Sequence, residues 1–531
     1  MKIYFGVVAL LMSFCSLSYQ FLMVKMIVPF VQNEVLCQSV TLGFFLLAMG
    51  IGSYLAPKLY TAGGLLGRLV RVEFSISLVA FFMSFLIYAL QLTIQLYVDE
   101  HVGIGPLTKT LFFQFFTVLL GFLTGLETPY LFYLAKNRNS KVSFNFLLAF
   151  NYLGAVVSAF VTSFVFSRFF SPSMSLIFVA LVNTLVGVLM AFTELQKWRH
   201  RILSVISFSV LLPLAFIATQ NNRALEQMFL KAFYYDFKLE SLSLFDFSQH
   251  LKFSRDLQDV QRIYTPYQII DILPAQTRFA DYLNSEWSLF LDHQPQFSVD
   301  SSSLYHETMV FGALNLNKTK PAKILILGGG DGLVAHELLK FSFVKSIDLV
   351  ELDEVMLNLA NSDPRFLELN HYSLSDTRVS VIVDDAYKYI KLSQGKYDAI
   401  FIDFPFPVNF ELSRLYSIEF YRLVERILTD DGFIILDLPL KYRAEESDSP
   451  QVAISRTVYQ SGFHNMLMFG PLNPFLFANK KDGRLEFEYS EIKDRVSART
   501  IMNFIPVNEF DIEQIKAGGP INSIYKPMVF R

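Results

Sequence analysis

AKILILGGGDGLVAHELLKFSFVKSIDLVELD, residues 322–353, reads as strand, glycine turn, helix and strand, with acids closing the second strand. Lys323–Leu327 is a short apolar run suited to a buried parallel strand. Gly328, Gly329, Gly330 and Gly332 let the backbone turn tightly and approach a ligand. Leu333–Phe341 is expected as the following helix and Ile347–Leu352 as the second strand, which delivers Glu351 and Asp353. An acid about 20 residues past such glycines suits the two hydroxyls of a ribose. The turn has no G-x-G-x-x-G spacing, and Asp331 occupies the loop where a pyrophosphate would sit. A carboxylate there repels phosphate and attracts a sulfonium or an amine, which points to a cationic nucleoside rather than NAD. The competing interpretation is a glycine turn that only links strand to helix.

Outward from this segment the chain divides by composition. Its 531 residues exceed one domain, and the first two hundred are overwhelmingly apolar. Membrane spans are expected at 4–30, 36–57, 72–98, 110–135, 144–167, 174–193 and 202–218. Each approaches or exceeds the roughly 20 residues that cross a bilayer, the seventh only marginally. This predicts a multi-pass protein of the cell (inner) membrane with the lipid bilayer as a partner. Lys58, Arg68, Arg71, Lys136, Arg138, Lys141, Lys197, Arg199 and Arg201 flank one side of these spans, against Lys109 and Arg168 on the other. That bias puts the N-terminus in the cytoplasm. Seven crossings would then leave the C-terminal half outside, away from any cytosolic metabolite. Cys15 and Cys37 fall inside spans, so no disulfide framework or cysteine metal site is expected. A net charge of −3 argues against nucleic acid as a partner.

Within the spans, Ala48/Gly52 and Gly121/Gly125 form small-xxx-small pairs that permit close helix packing. Lys25 and Glu127 are ionisable at membrane depth; Lys25 is expected to snorkel, and Glu127 beside Pro129 to line a polar cavity or bond across helices. The stretch 223–261 reads as a connector along the membrane surface, and 263–296 as a small antiparallel sheet. Farther on, Val379–Val383, Ala399–Ile402 and Phe433–Leu436 are expected strands, Leu415–Ile427 a helix, and Asp430-Asp431-Gly432 a turn. The pattern is a doubly wound α/β domain, in which ligands bind at the carboxyl ends of parallel strands. Asp331, Glu351, Asp385 and Asp403 all fall at or just after such ends. A strand-end Asp is also a common helix cap, but four in consecutive units could hold a ribose, an adenine amino group and an amine.

This ordered set resembles the spermidine synthase (polyamine aminopropyltransferase) family. The resemblance rests on GGGDG at 328–332, VELD at 350–353, DDAYKY at 384–389 and YDAIFID at 397–403. Pro266-Tyr267-Gln268, Tyr305-His306-Glu307 and Leu415–Tyr421 extend it over roughly 260–480. SLSYQ at 16–20 and LGFFLLAMGIGS at 42–53 look like the multi-spanning region of bacterial membrane-fused members. The organisation then expected is a helical membrane domain at 1–219, a connector at 220–260, a small β domain at 261–318 and a Rossmann-like domain at 319–531. The resemblance implies decarboxylated S-adenosylmethionine as co-substrate, a small-molecule amine acceptor, no metal, and admits a homodimer. By the same resemblance Glu351 holds the ribose and Asp385 the adenine amino group. Gln268 and His306, with Gly328 and Gly330 of the turn, line the donor cleft. Asp331 holds the aminopropyl arm, Tyr267 positions the acceptor, and Asp403 orients its amine and takes its proton.

The chain departs from the family pattern at three places. Phe406 stands where the second acid of the catalytic loop belongs, in Asp403-Phe404-Pro405-Phe406-Pro407. Ser301-Ser302-Ser303 lie near where an acidic pair would precede Tyr305, and Asn151 stands where membrane-fused relatives carry Asp. Three interpretations follow: an aminopropyltransferase with an altered acceptor site, a methyltransferase using intact S-adenosylmethionine on a membrane substrate, and a non-catalytic nucleoside or polyamine sensor.

Overall fold

The computed structural model describes residues 2–31, 34–59, 65–97, 106–137, 142–166, 169–194, 209, 211–217, 219–234, 257–274, 286–318, 320–407, 410–439, 449–470, 474–481, 483–489, 496, 498–501, 503–506, 515–516 and 518–528. The chain divides into two compact units, Met1–Val260 and Gln261–Arg531.

The first unit is helical because its long apolar runs contain almost nothing that interrupts a helix. It comprises α1 (Lys2–Val31), α2 (Glu34–Leu55), α3 (Leu65–Tyr97), α4 (Pro106–Asn137), α5 (Phe144–Phe160, continued by a π-helical turn Val161–Phe166) and α6 (Pro172–Glu194). Six helices among the described residues are long and apolar enough to cross a membrane. The expected seventh span, 202–218, lies mostly outside the described residues, as do 235–256 of the expected connector. The two small-residue pairs meet each other where α2 packs on α4. A Cβ on Gly52 would sit 2.2 Å from the Phe122 carbonyl, and one on Gly125 2.2 Å from that of Met49. Side chains there would force the helices apart, so backbone contact replaces side-chain packing. Lys25 is exposed, as snorkelling requires. The helix α7 (Asn222–Tyr234) is fastened to the end of the unit, its Gln227 side chain bonding both the N–H and the carbonyl of Val260.

The second unit begins with an antiparallel sheet, β1 (Gln261–Tyr264), β2 (Ile269–Pro274), β3 (Trp287–Leu291) and β4 (Gln294–Ser298), in that order. A buried Arg262–Asp271 pair at 2.6 Å joins its first two strands. Helix α8 (Val299–Asn317) leads into the α/β core. There follow β5 (Lys323–Gly328), α9 (Leu333–Leu339), β6 (Ser346–Glu351), α10 (Glu354–Ser362), α11 (Pro364–Asn370), β7 (Val379–Val383), α12 (Ala386–Leu392), β8 (Tyr397–Asp403), α13 (Ile418–Ile427), β9 (Leu428–Asp437), α14 (Pro450–Gln460), β10 (Asn465–Phe469) and β11 (Phe475–Asn479). The sheet order is β10-β11-β9-β8-β5-β6-β7. The five strands from β9 to β7 are parallel, with β11 and β10 antiparallel at one edge. Continuous apolar runs such as Ile324–Leu327 and Ile400–Ile402 are buried on both faces, which is what a helix-covered parallel sheet demands. Two local expectations shift. Asp430-Asp431-Gly432 is not a turn before β9 but an irregularity within it, because Tyr397 pairs with Leu428 and Ala399 with Phe433. The helix expected from Leu415 starts at Ile418, where Ser417 caps it through Phe420 N at 3.2 Å.

Candidate active site

The parallel strands bring their carboxyl ends level, and the acids assemble there. Gly328 pairs with Asp403 across β5 and β8, and Leu327 with Val350 across β5 and β6, so Glu351 closes the neighbouring strand. Gly328 has φ +83°, and a Cβ on it would lie 2.1 Å from the Asp403 carbonyl. Gly330 is needed for a different reason: its Cβ would meet Glu351 Cγ at 2.7 Å. The glycines therefore keep open the space in front of two carboxylates.

On one side of β5, Glu351 is half-buried and accepts from the Asp353 N–H at 2.9 Å. Burial, then the neighbouring Asp353 and Asp331 charges, push its carboxyl up from 4.5 to about 7 against the lowering effect of backbone N–H groups. Gln268 reaches from the β1–β2 turn and donates to Asp353 Oδ2 at 2.9 Å, so the small sheet is tied to the end of β6. Asp385 is the N-cap of α12, accepting from Lys388 N at 2.9 Å, and its other oxygen pairs with Arg414.

On the other side, Asp331 Oδ1 caps α9 through Leu333 N at 2.9 Å. His306 bonds the Ser302 carbonyl through Nδ1 at 2.6 Å, which leaves Nε2 for the crevice. Ligand atoms of His306, Asp331 and Asp403 lie within 4.8 Å of one another, a spacing that suits a small cation. Asp403 ends β8 and accepts from the Tyr305 hydroxyl at 2.9 Å. Burial first, and then the Asp331 carboxylate, push Asp403 up from 3.8 to about 6, while His306 and Tyr305 pull it down. Such a carboxyl is mostly ionised at neutral pH yet still basic enough to accept a proton.

The structure thus brings Asp331, His306 and Asp403 together, with Glu351, Gln268, Gly328 and Gly330 alongside. Asp385 sits at the next strand end, engaged with Arg414. Tyr267 is mostly exposed at 57%, and no hydrogen bond of its hydroxyl is found among the described residues. Phe406 is partly buried on the loop after β8. Ser301 is occupied in holding the start of α8, where Ser298 N donates to its Oγ at 2.9 Å. What this geometry can do is hold positive charge against several carboxylates beside a partly basic one.

With the geometry in place, relatives can be set against it. Residues 302–446 match the family model described as spermine/spermidine synthase domain. A polyamine aminopropyltransferase of Leptospira interrogans is 28% identical over 529 residues, covering 94% of each chain. Over almost its whole length the chain is thus similar to proteins named polyamine aminopropyltransferase. Another protein so named, from Oceanobacillus iheyensis, is 28% identical across 75% of this chain and 70% of its own. A solved spermidine synthase in complex with the transition-state analogue AdoDATO aligns at 19% identity and a TM-score of 0.37, covering 49% of this chain and 88% of that one.

Two residues of this site have no role assigned from the sequence. Asp437 closes β9 directly beside Asp403, since Ile402 pairs with Leu436 one residue earlier. Burial and the Asp403 charge push its carboxyl well above the usual carboxylate range, and its Oδ1 is buried without a hydrogen-bond partner. The strand-end rule applied to Phe433–Leu436 would have found it. Tyr305, by contrast, enters the sequence pattern only within Tyr305-His306-Glu307: it sits on a helix about a hundred residues before the carboxylate it bonds.

Proposed function

We propose that this chain transfers an aminopropyl group from decarboxylated S-adenosylmethionine to an amine acceptor. The observation that carries this reading is Asp403, raised to about 6 and gathered with Asp331 and His306 within 4.8 Å at the crevice. In the reaction the acceptor nitrogen forms a bond to the carbon next to the sulfonium. That carbon–sulfur bond breaks, its electron pair stays on sulfur, and methylthioadenosine leaves neutral. An alkylammonium has no lone pair, so Asp403 accepts a proton from the acceptor before attack. Glu351 takes the ribose hydroxyls, and Asp385 the adenine amino group on release from Arg414. Gln268 and His306 complete the donor wall, Asp331 holds the aminopropyl ammonium, and Tyr267 closes over the acceptor. Asp437, whose Oδ1 is buried without a partner beside Asp403, supplies a further acceptor for the incoming amine.

Donor choice follows from charge. Intact S-adenosylmethionine would bring a carboxylate toward Asp331, and two such charges about 4 Å apart repel by roughly 4 kcal/mol at an intermediate effective dielectric. Acceptor choice follows from Phe406, which removes one anion from the far end of the site. Monoamines and amines with an apolar tail should therefore compete with putrescine, and Phe406→Asp should move preference toward diamines.

The six spans among the described residues would, as the crossings before the catalytic unit, return the chain to the side that the basic residues assign to the N-terminus, a cytoplasmic one. The deciding experiment is mass spectrometry of products after incubation with each donor and a panel of amines. Aminopropylated amine from the decarboxylated donor supports the proposal. Methylated product from intact donor would replace it with the methyltransferase reading, and tight donor binding without any product with the sensor reading. Equal calorimetric affinity for the two donors would also count against it.

A further inference from the structure

The helical unit contains a second gathering of acids that the transfer reaction does not use. Glu73 on α3 and Glu127 on α4 are 0% and 3% exposed, and neither joins an ion pair among the described residues. Measured along their helices, Glu73 lies about 12 Å from the start of α3 and Glu127 about 15 Å from the end of α4. Both ends carry the basic residues assigned to the cytoplasmic side, so the two carboxylates lie at similar depth. Both flank the same stretch of α1: Ser16 bonds Glu127 at 3.2 Å, and Cys15 bonds the Val179 carbonyl of α6 at 3.8 Å, one turn before Asn183, whose amide bonds the Glu73 carbonyl at 3.0 Å.

Several polar atoms around them are acceptors that lack donors, beside the donors Ser16, Ser77 and Asn183. Both carboxylate oxygens of Glu73, Oε1 of Glu127 and Oδ1 of Asn183 are buried without a hydrogen-bond partner. Ser16 donates to Glu127 Oε2 at 3.2 Å, and the Asn183 amide is directed to the Glu73 carbonyl at 3.0 Å. The Tyr19 hydroxyl, 0% exposed and equally unpartnered, belongs to the face of α1 that carries Ser16, three residues earlier. Unmatched buried acceptors of this kind are costly in an apolar bundle, and intramembrane carboxylates mark ion or substrate sites.

We infer that Glu73, Glu127 and Tyr19 form an intramembrane binding site for the ammonium group of an organic amine. An ammonium brings three N–H donors together with the balancing charge, whereas protonation brings one donor to each carboxyl. A bare metal ion fits less well. Among the described residues the acids and histidine spaced for a metal are His306, Asp331 and Asp403, and Glu73, Glu127 and Cys15 do not form such a group. The inference is separate from the transferase reading and concerns a different unit of the chain.

The test is binding of radiolabelled putrescine to the full chain in lipid nanodiscs, by scintillation proximity. Asp403→Asn is present throughout, so that the crevice of the second unit contributes little. Saturable binding is expected, weakened about 10–100-fold by Glu73→Gln or Glu127→Gln, the range for a lost charge-assisted bond, and less by Tyr19→Phe. Variants with Asp403 intact should keep parental helicity and product formation, which separates this site from the catalytic one. Should a Gln variant not fold, Tyr19→Phe carries the test by itself, because it removes one hydroxyl and no charge. Absence of saturable binding, equal affinity in parent and all three variants, or displacement by equimolar Na⁺ or Mg²⁺ would each overturn the inference.

Discussion

Replacing Asp403 with Asn should make the protein both inactive and, at alkaline pH, more stable. The carboxyl ends β8 half-buried and is raised from 3.8 to about 6, chiefly by its withdrawal from water. A group whose folded value is raised contributes its full stability below the unfolded value and loses it as pH climbs through the folded one. The difference of about two pH units, at about 1.4 kcal/mol each, is on the order of 3 kcal/mol by pH 8. Asn keeps the shape and can still accept from Tyr305, but it escapes this loss. Thermal unfolding of parent and Asp403→Asn in detergent should therefore coincide near pH 4 and separate in favour of Asn above pH 6. Turnover should move the opposite way. Methylthioadenosine formation, followed by chromatography, should fall about 10²–10⁴-fold, the usual cost of losing a general base. The parental rate should rise with pH through about 6, where Asp403 ionises. Turnover within a few-fold of the parent would refute the catalytic assignment, and an unchanged stability profile would refute the burial argument.

Tyr305→Phe removes the 2.9 Å bond that holds Asp403 down, so the acid limb of the rate profile should move to higher pH. A charge-assisted bond of this kind should cost about tenfold or more in kcat/KM, and an unmoved limb would mean Tyr305 only packs. Gly330→Ala places a Cβ 2.7 Å from Glu351 Cγ, so donor affinity by calorimetry should drop while unfolding temperature changes little. Unchanged affinity would separate Glu351 from the ribose.

The sequence by itself determined the elements and the character of the site. Apolar runs long enough to span a bilayer marked the six long helices to within about seven residues at each end, and buried β-rich runs marked the parallel strands, because both patterns are local. The positions of Asp331, Glu351, Asp385 and Asp403 were legible for the same reason: each follows a strand, and parallel strands align their ends. What the sequence left undecided was the pairing across strands and helices. Only the fold shows that Asp437 stands beside Asp403, that Tyr305 donates to it, and that Asp385 is already engaged by Arg414. Glu73 stands at the edge of the span expected from 72, and α3 begins seven residues earlier. Its partnership with Glu127 joins residues 54 positions apart. Such contacts depend on which faces of separate elements meet, and packing of the whole chain sets that, not the periodicity of any one segment.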